Sequence, residues 1–149
     1  MNTPEPTFMD KALNLAAEAA AAGEVPVAAV IVMDGEIIAS ARNRMRELAD
    51  PTAHAEMLAI KTALEAVGSR LGACDLYVTL EPCTMCAGAI AHAKLRRLYY
   101  AAEDIKGGAV DNGVRFFNQP TCHHAPEVIS GPGEQRSAEM LRDFFAARR

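Results

Sequence analysis

Apolar residues recur along the chain at two spacings, and the switches between them mark out the elements. Met9, Ala12, Leu13, Ala16, Ala19 and Ala20 fall at helical intervals. They predict a first helix capped by Thr7, with Asp10 completing a capping box and Gly23 stopping it. Val27 to Met33 is a continuous apolar run, as expected of a strand covered on both faces. Asp34-Gly35 predicts a hairpin turn and a return strand from Glu36 to Ala41. Met57, Ile60, Leu64 and Val67 restore the helical period and predict a second helix from about Thr52 to Val67, with Gly68 as its stop.

Leu76 to Leu80 then reads as a third strand, Thr84 to Ala93 as a short helix of small side chains, and Arg97 to Ala101 as a fourth strand. Strand, helix and strand in that order predict a parallel crossover. Glu103 to Gly108 is polar and small-sided, a loop; Gly113 to Phe117 holds a helical turn, and Glu127 to Ile129 a fifth strand. Beyond Gly131-Pro-Gly133, the residues Ala138, Leu141, Phe144 and Phe145 form the apolar face of a last helix. This succession predicts an α/β fold, a three-layer α/β/α sandwich around a central mixed five-stranded sheet.

Composition narrows the picture in three ways. A chain of 149 residues, 50% hydrophobic and 23% charged, suits a single globular domain spanning 1–149. No apolar run approaches the ~20 residues that span a bilayer, so no membrane partner is expected. The first residues lack the basic flank of a secretory signal, and two of the four cysteines belong to one short motif. Both point to the reducing cytoplasm and away from a disulfide framework. The net charge of −4 is no nucleic-acid footprint, so any RNA contact must come from local basic patches.

The chemistry lies in Thr52-Ala-His-Ala-Glu56 and Thr79-Leu-Glu-Pro-Cys-Thr-Met-Cys86. His54, Cys83 and Cys86 supply one imidazole and two thiols, and Glu56 a spare carboxylate: the inventory of a catalytic zinc with three protein ligands and an open fourth position. Asp50-Pro51 and Glu81-Pro82 each predict a helix start just ahead of the ligands. Cys83 and Cys86 would share one helix face, while first-turn side chains leaning toward the N-terminus let His54 and Glu56 converge on the same point. Two helix N-termini aimed there favour thiolates. A closed structural site would need a fourth strong ligand. Cys74, Cys122, His92, His123 and His124 are the candidates, and none is paired with another cysteine at the usual spacing.

His-x-Glu followed by Pro-Cys-x-x-Cys resembles the signature of the zinc-dependent nucleobase deaminases. The segments Glu24-Val-Pro-Val27, Asn43, Asp50 to Glu56, Leu76 to Ile90 and Asp104-Ile-Lys-Gly-Gly-Ala109 are similar to the bacterial tRNA adenosine deaminases of that superfamily. The resemblance implies a cytidine deaminase-like fold, one Zn2+ per subunit, a homodimer, and deamination of adenosine to inosine at the wobble position of a tRNA anticodon loop. It implies that Glu56 shuttles the protons and that Val27, Asn43, Asp104, Lys106 and His124 contact substrate. Deamination of a free guanine or cytosine derivative is the alternative that the catalytic pair leaves open. Ala28 departs from the family's glycine after Pro-Val and would place a methyl near the base pocket.

Other readings remain open on the residues alone. On its residue type alone Asn43 reads first as a turn asparagine. The arginines of Arg42 to Arg46, and Lys94, Arg96, Arg97, Arg142, Arg148 and Arg149, could be solvated or could bind phosphates. Cys74 reads as a buried thiol, and Cys122-His123-His124 as surface residues or a second metal cluster.

Overall fold

A computed structural model describes residues 7 to 148. The elements run α1 (Phe8–Ala21), β1 (Ala28–Met33), β2 (Glu36–Arg42), α2 (Ala55–Val67), β3 (Cys74–Leu80), α3 (Thr84–His92), β4 (Arg97–Ala102), a 3-10 turn (Phe116–Asn118), β5 (Glu127–Ser130) and α4 (Glu134–Ala146). The five strands form one sheet in the order β2-β1-β3-β4-β5. β1 pairs antiparallel with β2 and β3, whereas β3, β4 and β5 are parallel. The mixed sheet and its flanking helices are those expected from the apolar pattern.

Alternation along β1 assigns the two faces. Ala29 and Ile31 pack with Ile60, Ala63 and Ile90 beneath α2 and α3, while Val30 and Val32 pack with Met9 and Leu13 of α1. α4 joins α1 on that second face. Burial on both sides explains why β1 reads as an unbroken apolar run.

Local signals fix the ends. The Thr7 hydroxyl accepts from the Asp10 amide at 3.0 Å and the Asp10 carboxylate from the Thr7 amide at 2.9 Å, a complete capping box. Asp34 and Gly35 take φ of 51° and 77°, the two positive values of a tight hairpin turn.

One start is displaced. α2 begins at Ala55 rather than near Thr52, because Asp50 does not cap the helix. Its carboxylate accepts from the Thr52 amide at 2.8 Å and hydroxyl at 2.7 Å, closing a turn that holds 50–52 out of the helix. Likewise Glu81 does not cap α3, whose N-cap is Cys83 with no side-chain cap bond. Among the described residues, no helix is long and apolar enough to cross a membrane.

Candidate active site

The two N-cap positions are His54 and Cys83, and that is why the ligands meet. β3 delivers Cys83 at its carboxyl end, Cys86 follows one turn into α3, and α2 starts alongside. His54 Nδ1 lies 3.7 Å from Cys83 Sγ and 3.5 Å from Cys86 Sγ. The donor atoms of these three residues all fall within 4.8 Å of one another, the only such group of three or more among the described residues.

This donor set fits zinc: one imidazole nitrogen and two sulfurs gathered together, with no fourth donor grouped with them among the described residues. Both helix N-termini face it, which favours anionic sulfur. The Cys83 thiol is held down at about 4, first by the neighbouring Cys86 thiol, while Cys83 and burial push Cys86 upward. His54 is raised, first by its hydrogen bond with Cys83.

Glu56 is buried, on the first turn of α2, and burial pushes its carboxyl up to about 7. A carboxyl poised near neutrality can both take and give a proton. Beside it opens a cavity of about 200 Å³, lined by Val25, Val27, Asn43, Met45, His54, Glu56, Leu80, Glu81, Cys83, Asp104 and Gly107. It sits at the carboxyl ends of the parallel strands, where open α/β sheets place their sites.

The remaining expected residues divide. Val27, Asn43 and Asp104 line the cavity. Asn43 also closes the start of α2: its Oδ1 accepts from the Ala55 amide at 2.8 Å, and its Nδ2 donates to the Val25 carbonyl at 3.2 Å. Asn43 therefore lines the cavity while its side chain ties two backbone segments together. The Asp104 carboxylate folds back on its own loop, accepting from the amides of Lys106 at 3.2 Å and Gly107 at 2.9 Å. Lys106 is exposed and lies outside the cavity, in a neighbouring hollow with Ile105, Leu141 and Phe145.

His124 is not brought to this cavity, which corrects the expectation. It precedes β5, and β5 runs parallel to β4, so His124 lies at the amino ends of those strands. There its Nε2 donates to the Leu95 carbonyl at 2.7 Å, in a separate hollow with His92, Cys122 and His123. Nor does Ala28 narrow the pocket, since alternation turns its methyl to the α1 side with Val30. Cys74 is buried, as read. Arg148 lies over the Phe144 ring at 3.5 Å, and Arg149 falls outside the described residues.

Two buried carboxylates escaped sequence reading. Glu24 accepts from the amides of Arg46 and Glu47, and Glu81 from those of Asp104, Val110, Asp111 and Asn112. Burial alone would raise the Glu81 carboxyl, but these amides and the Asn112 side chain hold it below its ordinary value. A charged residue just before a Pro-Cys motif was the available signal.

Comparison with known proteins bears on the same residues. The profile of the family described as the cytidine and deoxycytidylate deaminase zinc-binding region matches residues 2–102. A tRNA-specific adenosine deaminase of Agrobacterium fabrum is 61% identical over 143 residues, covering 95% of this chain and 94% of its own. The corresponding Aquifex aeolicus protein is 45% identical, with 93% and 91% covered. A solved structure from studies of A-to-I editing by tRNA:A34 deaminases at the wobble position superposes with a TM-score of 0.88 at 61% identity, covering 90% of this chain and 98% of that one. A guanine deaminase from Nitrosomonas europaea superposes at 0.82 with 25% identity, covering 98% and 87%.

Proposed function

Because the chain belongs to the tRNA-specific adenosine deaminases within the cytidine and deoxycytidylate deaminase zinc-binding family, we propose that it hydrolyses adenosine to inosine at the wobble position of a tRNA anticodon. The observation that carries the substrate is the 61% identity with a tRNA-specific enzyme over 95% of the chain, which takes in both walls of the cavity as well as the metal motif. The guanine deaminase shares the fold at 25% identity, which keeps a free purine base as the competing substrate.

In this reading His54 Nδ1, Cys83 Sγ and Cys86 Sγ hold one Zn2+ per subunit. When bound, the metal supplies a Lewis acid that makes water a nucleophile near neutral pH. Glu56 takes the proton from the attacking water and delivers it to the ring nitrogen beside the attacked carbon. It then takes the remaining proton of the hydroxyl now on the attacked carbon and gives it to the departing amino group, so that adenosine and water become inosine and ammonia. The buried position of Glu56 lets the same carboxyl serve both transfers.

Asn43 keeps one Nδ2 hydrogen free of its Val25 bond and can present it to a purine edge. Val27 gives the base an apolar wall, Asp104 stands at the ribose side, and Lys106 outside the mouth meets a phosphate. The whole chain acts as one deaminase domain in the cytoplasm. It works as a homodimer, for which the apolar hollow lined by Met57, Leu58 and Leu64 of α2 offers a contact face.

The test compares an anticodon stem-loop bearing a wobble adenosine with guanine, cytosine and free adenosine, reading inosine by sequencing and ammonia by a coupled assay. Faster turnover of the stem-loop is expected. Faster turnover of any free base or nucleoside would replace this reading with the base-deaminase one.

A further inference from the structure

Glu81 is 2% exposed and stands two residues ahead of Cys83, yet the reaction gives it nothing to do. Its Oε1 accepts from the Asp104 amide at 3.0 Å and from Asn112 Nδ2 at 2.7 Å. Its Oε2 accepts from the successive amides of Val110, Asp111 and Asn112 at 3.0, 2.9 and 3.1 Å. Five donors saturate the lone pairs of one carboxylate, so neither oxygen is left for a substrate. Glu81 can act on the reaction only through what it holds.

What it holds is one wall of the cavity. Residues 103–112 form turns and bends with no ladder or helix of their own, and Asp104 and Gly107 from this segment line the cavity. Three consecutive amides turned onto one anion make a cradle that has no reason to persist once the anion is gone. The fit is close: a Cβ on Gly108 would stand 2.4 Å from Glu81 Cδ and 2.5 Å from the Asp104 carbonyl oxygen. The other end of the same residue is fixed by the sheet, since the Glu81 amide donates to the Ala102 carbonyl at 2.8 Å, and Pro82 accepts from Ala109 at 2.9 Å.

We infer that Glu81 is a positioning residue for substrate: it pins the 104–112 wall to the strand end that carries Cys83, so that the half of the pocket facing the nucleoside's sugar is formed before RNA arrives. The inference rests on the proposed function only for the choice of substrate. With the wall released, substrate would have to order it on binding, so the apparent affinity falls by the fraction of time the wall is in place. Once substrate is bound, His54, Cys83, Cys86 and Glu56 are where they were, and the chemical step proceeds.

The test uses the zinc-loaded full chain and the variant Glu81→Gln, which keeps the shape but sets an NH2 against N–H donors. Zinc content, amide hydrogen exchange, kcat and KM for the stem-loop are measured together. The expected result is unchanged zinc, faster exchange confined to 104–112, KM raised about tenfold and kcat within about twofold. A residue that merely supports the fold or the metal would lower kcat or zinc content and leave KM alone, and that result overturns the inference. Should Glu81→Gln not fold, Asn112→Ala removes a single donor from Oε1 and gives the same split at about threefold in KM. If the wild-type enzyme prefers guanine, the proposed function falls and the sugar assignment with it, while exchange that quickens only in 104–112 of Glu81→Gln still decides whether Glu81 holds the wall.

Discussion

The two walls of the cavity are each backed by a buried glutamate, but they are anchored in opposite ways. On the Asn43 side, Glu24 is 1% exposed and accepts only the amides of Arg46 at 3.1 Å and Glu47 at 2.8 Å. The rest of that wall is tied by separate bonds: Asn43 to the Val27 and Val25 carbonyls, Arg44 to Ala53, and Ala55 to Asn43. On the Asp104 side, five donors converge on Glu81, and the separate ties are Ala109 to the Pro82 carbonyl, Phe116 to the Ala109 carbonyl and Asn112 to Glu103. Distributed anchorage tolerates the loss of any one bond, whereas concentrated anchorage makes one residue decisive. The first wall flanks the helix that carries Glu56 and can lean on it; the second is irregular chain and leans on a charge.

The comparison needs a scale, and the largest effect belongs to neither wall. Glu56→Gln removes the proton carrier while leaving both walls and all three metal donors in place. Single-turnover deamination of the stem-loop should fall at least ~100-fold and toward ~10,000-fold, with zinc content unchanged. Near-normal turnover in a zinc-replete variant would show that something other than the space between the walls carries the chemistry.

Next comes the contrast between the two glutamates. Glu81→Ala strands several donors in a buried site and should cost ~3–5 kcal/mol by urea unfolding, the range of a broken buried network. Glu24→Ala strands two amides at the exposed residues Arg46 and Glu47, and water can replace the carboxylate, so ~1–2 kcal/mol is expected. Equal losses, or the reverse order, would break the distinction between concentrated and distributed anchorage.

That contrast also marks what could be read from the sequence. The strands, helices and hairpin follow from apolar spacing, and His54, Glu56, Cys83 and Cys86 stand out because their partners are close in sequence or share a recognisable motif. Glu81 bonds residues that lie 23 to 31 positions downstream, through backbone amides that any residue type could supply. No side-chain pattern encodes such partners. Asp50 misleads for a related reason: an acidic residue before proline suits a helix cap and a local turn equally, and the turn to Thr52 wins. His124 was drawn to the site by the family resemblance, but strand direction, which spacing does not reveal, puts it at the opposite end of the sheet.

A smaller effect separates the two duties of Asn43. Asn43→Asp keeps an acceptor for the Ala55 amide at a helix N-terminus but turns a carboxylate oxygen onto the Val25 carbonyl, so it should cost ~1–3 kcal/mol. Asn43→Ala removes that acceptor and should cost ~1–2 kcal/mol. Turnover of the stem-loop should drop in both, because each lacks the amide N–H offered to the base. Full activity in the aspartate variant would confine Asn43 to holding the wall.

The smallest effect sharpens the comparison at alkaline pH. The Tyr100 hydroxyl donates to Asp111, the residue whose amide Glu81 holds, and burial followed by that bond raises the Tyr100 phenol well above its ordinary value. Ionised, it would face Asp111 and Glu81, with Glu103 and Glu134 in the hollow alongside. In the unfolded chain the phenol ionises near ~10. A raised folded value means that its stabilisation is whole below ~10 and is lost as pH climbs from there through the folded value. Tyr77, raised to about 12 by burial, adds to the same fall from the far side of the sheet, so wild type alone cannot isolate Tyr100. The variant does. Tyr100→Phe should cost no more than ~1 kcal/mol near neutrality, because Asp111 is exposed and water replaces the lost donor. Above about pH 10 its unfolding free energy should decline less steeply than that of wild type. Amide exchange should then quicken in 104–112 of the wild type before it does in 43–54, since the charge arises against Asp111 and Glu81, on which five of that segment's donors converge. Identical pH slopes in the two proteins would detach Tyr100 from that wall.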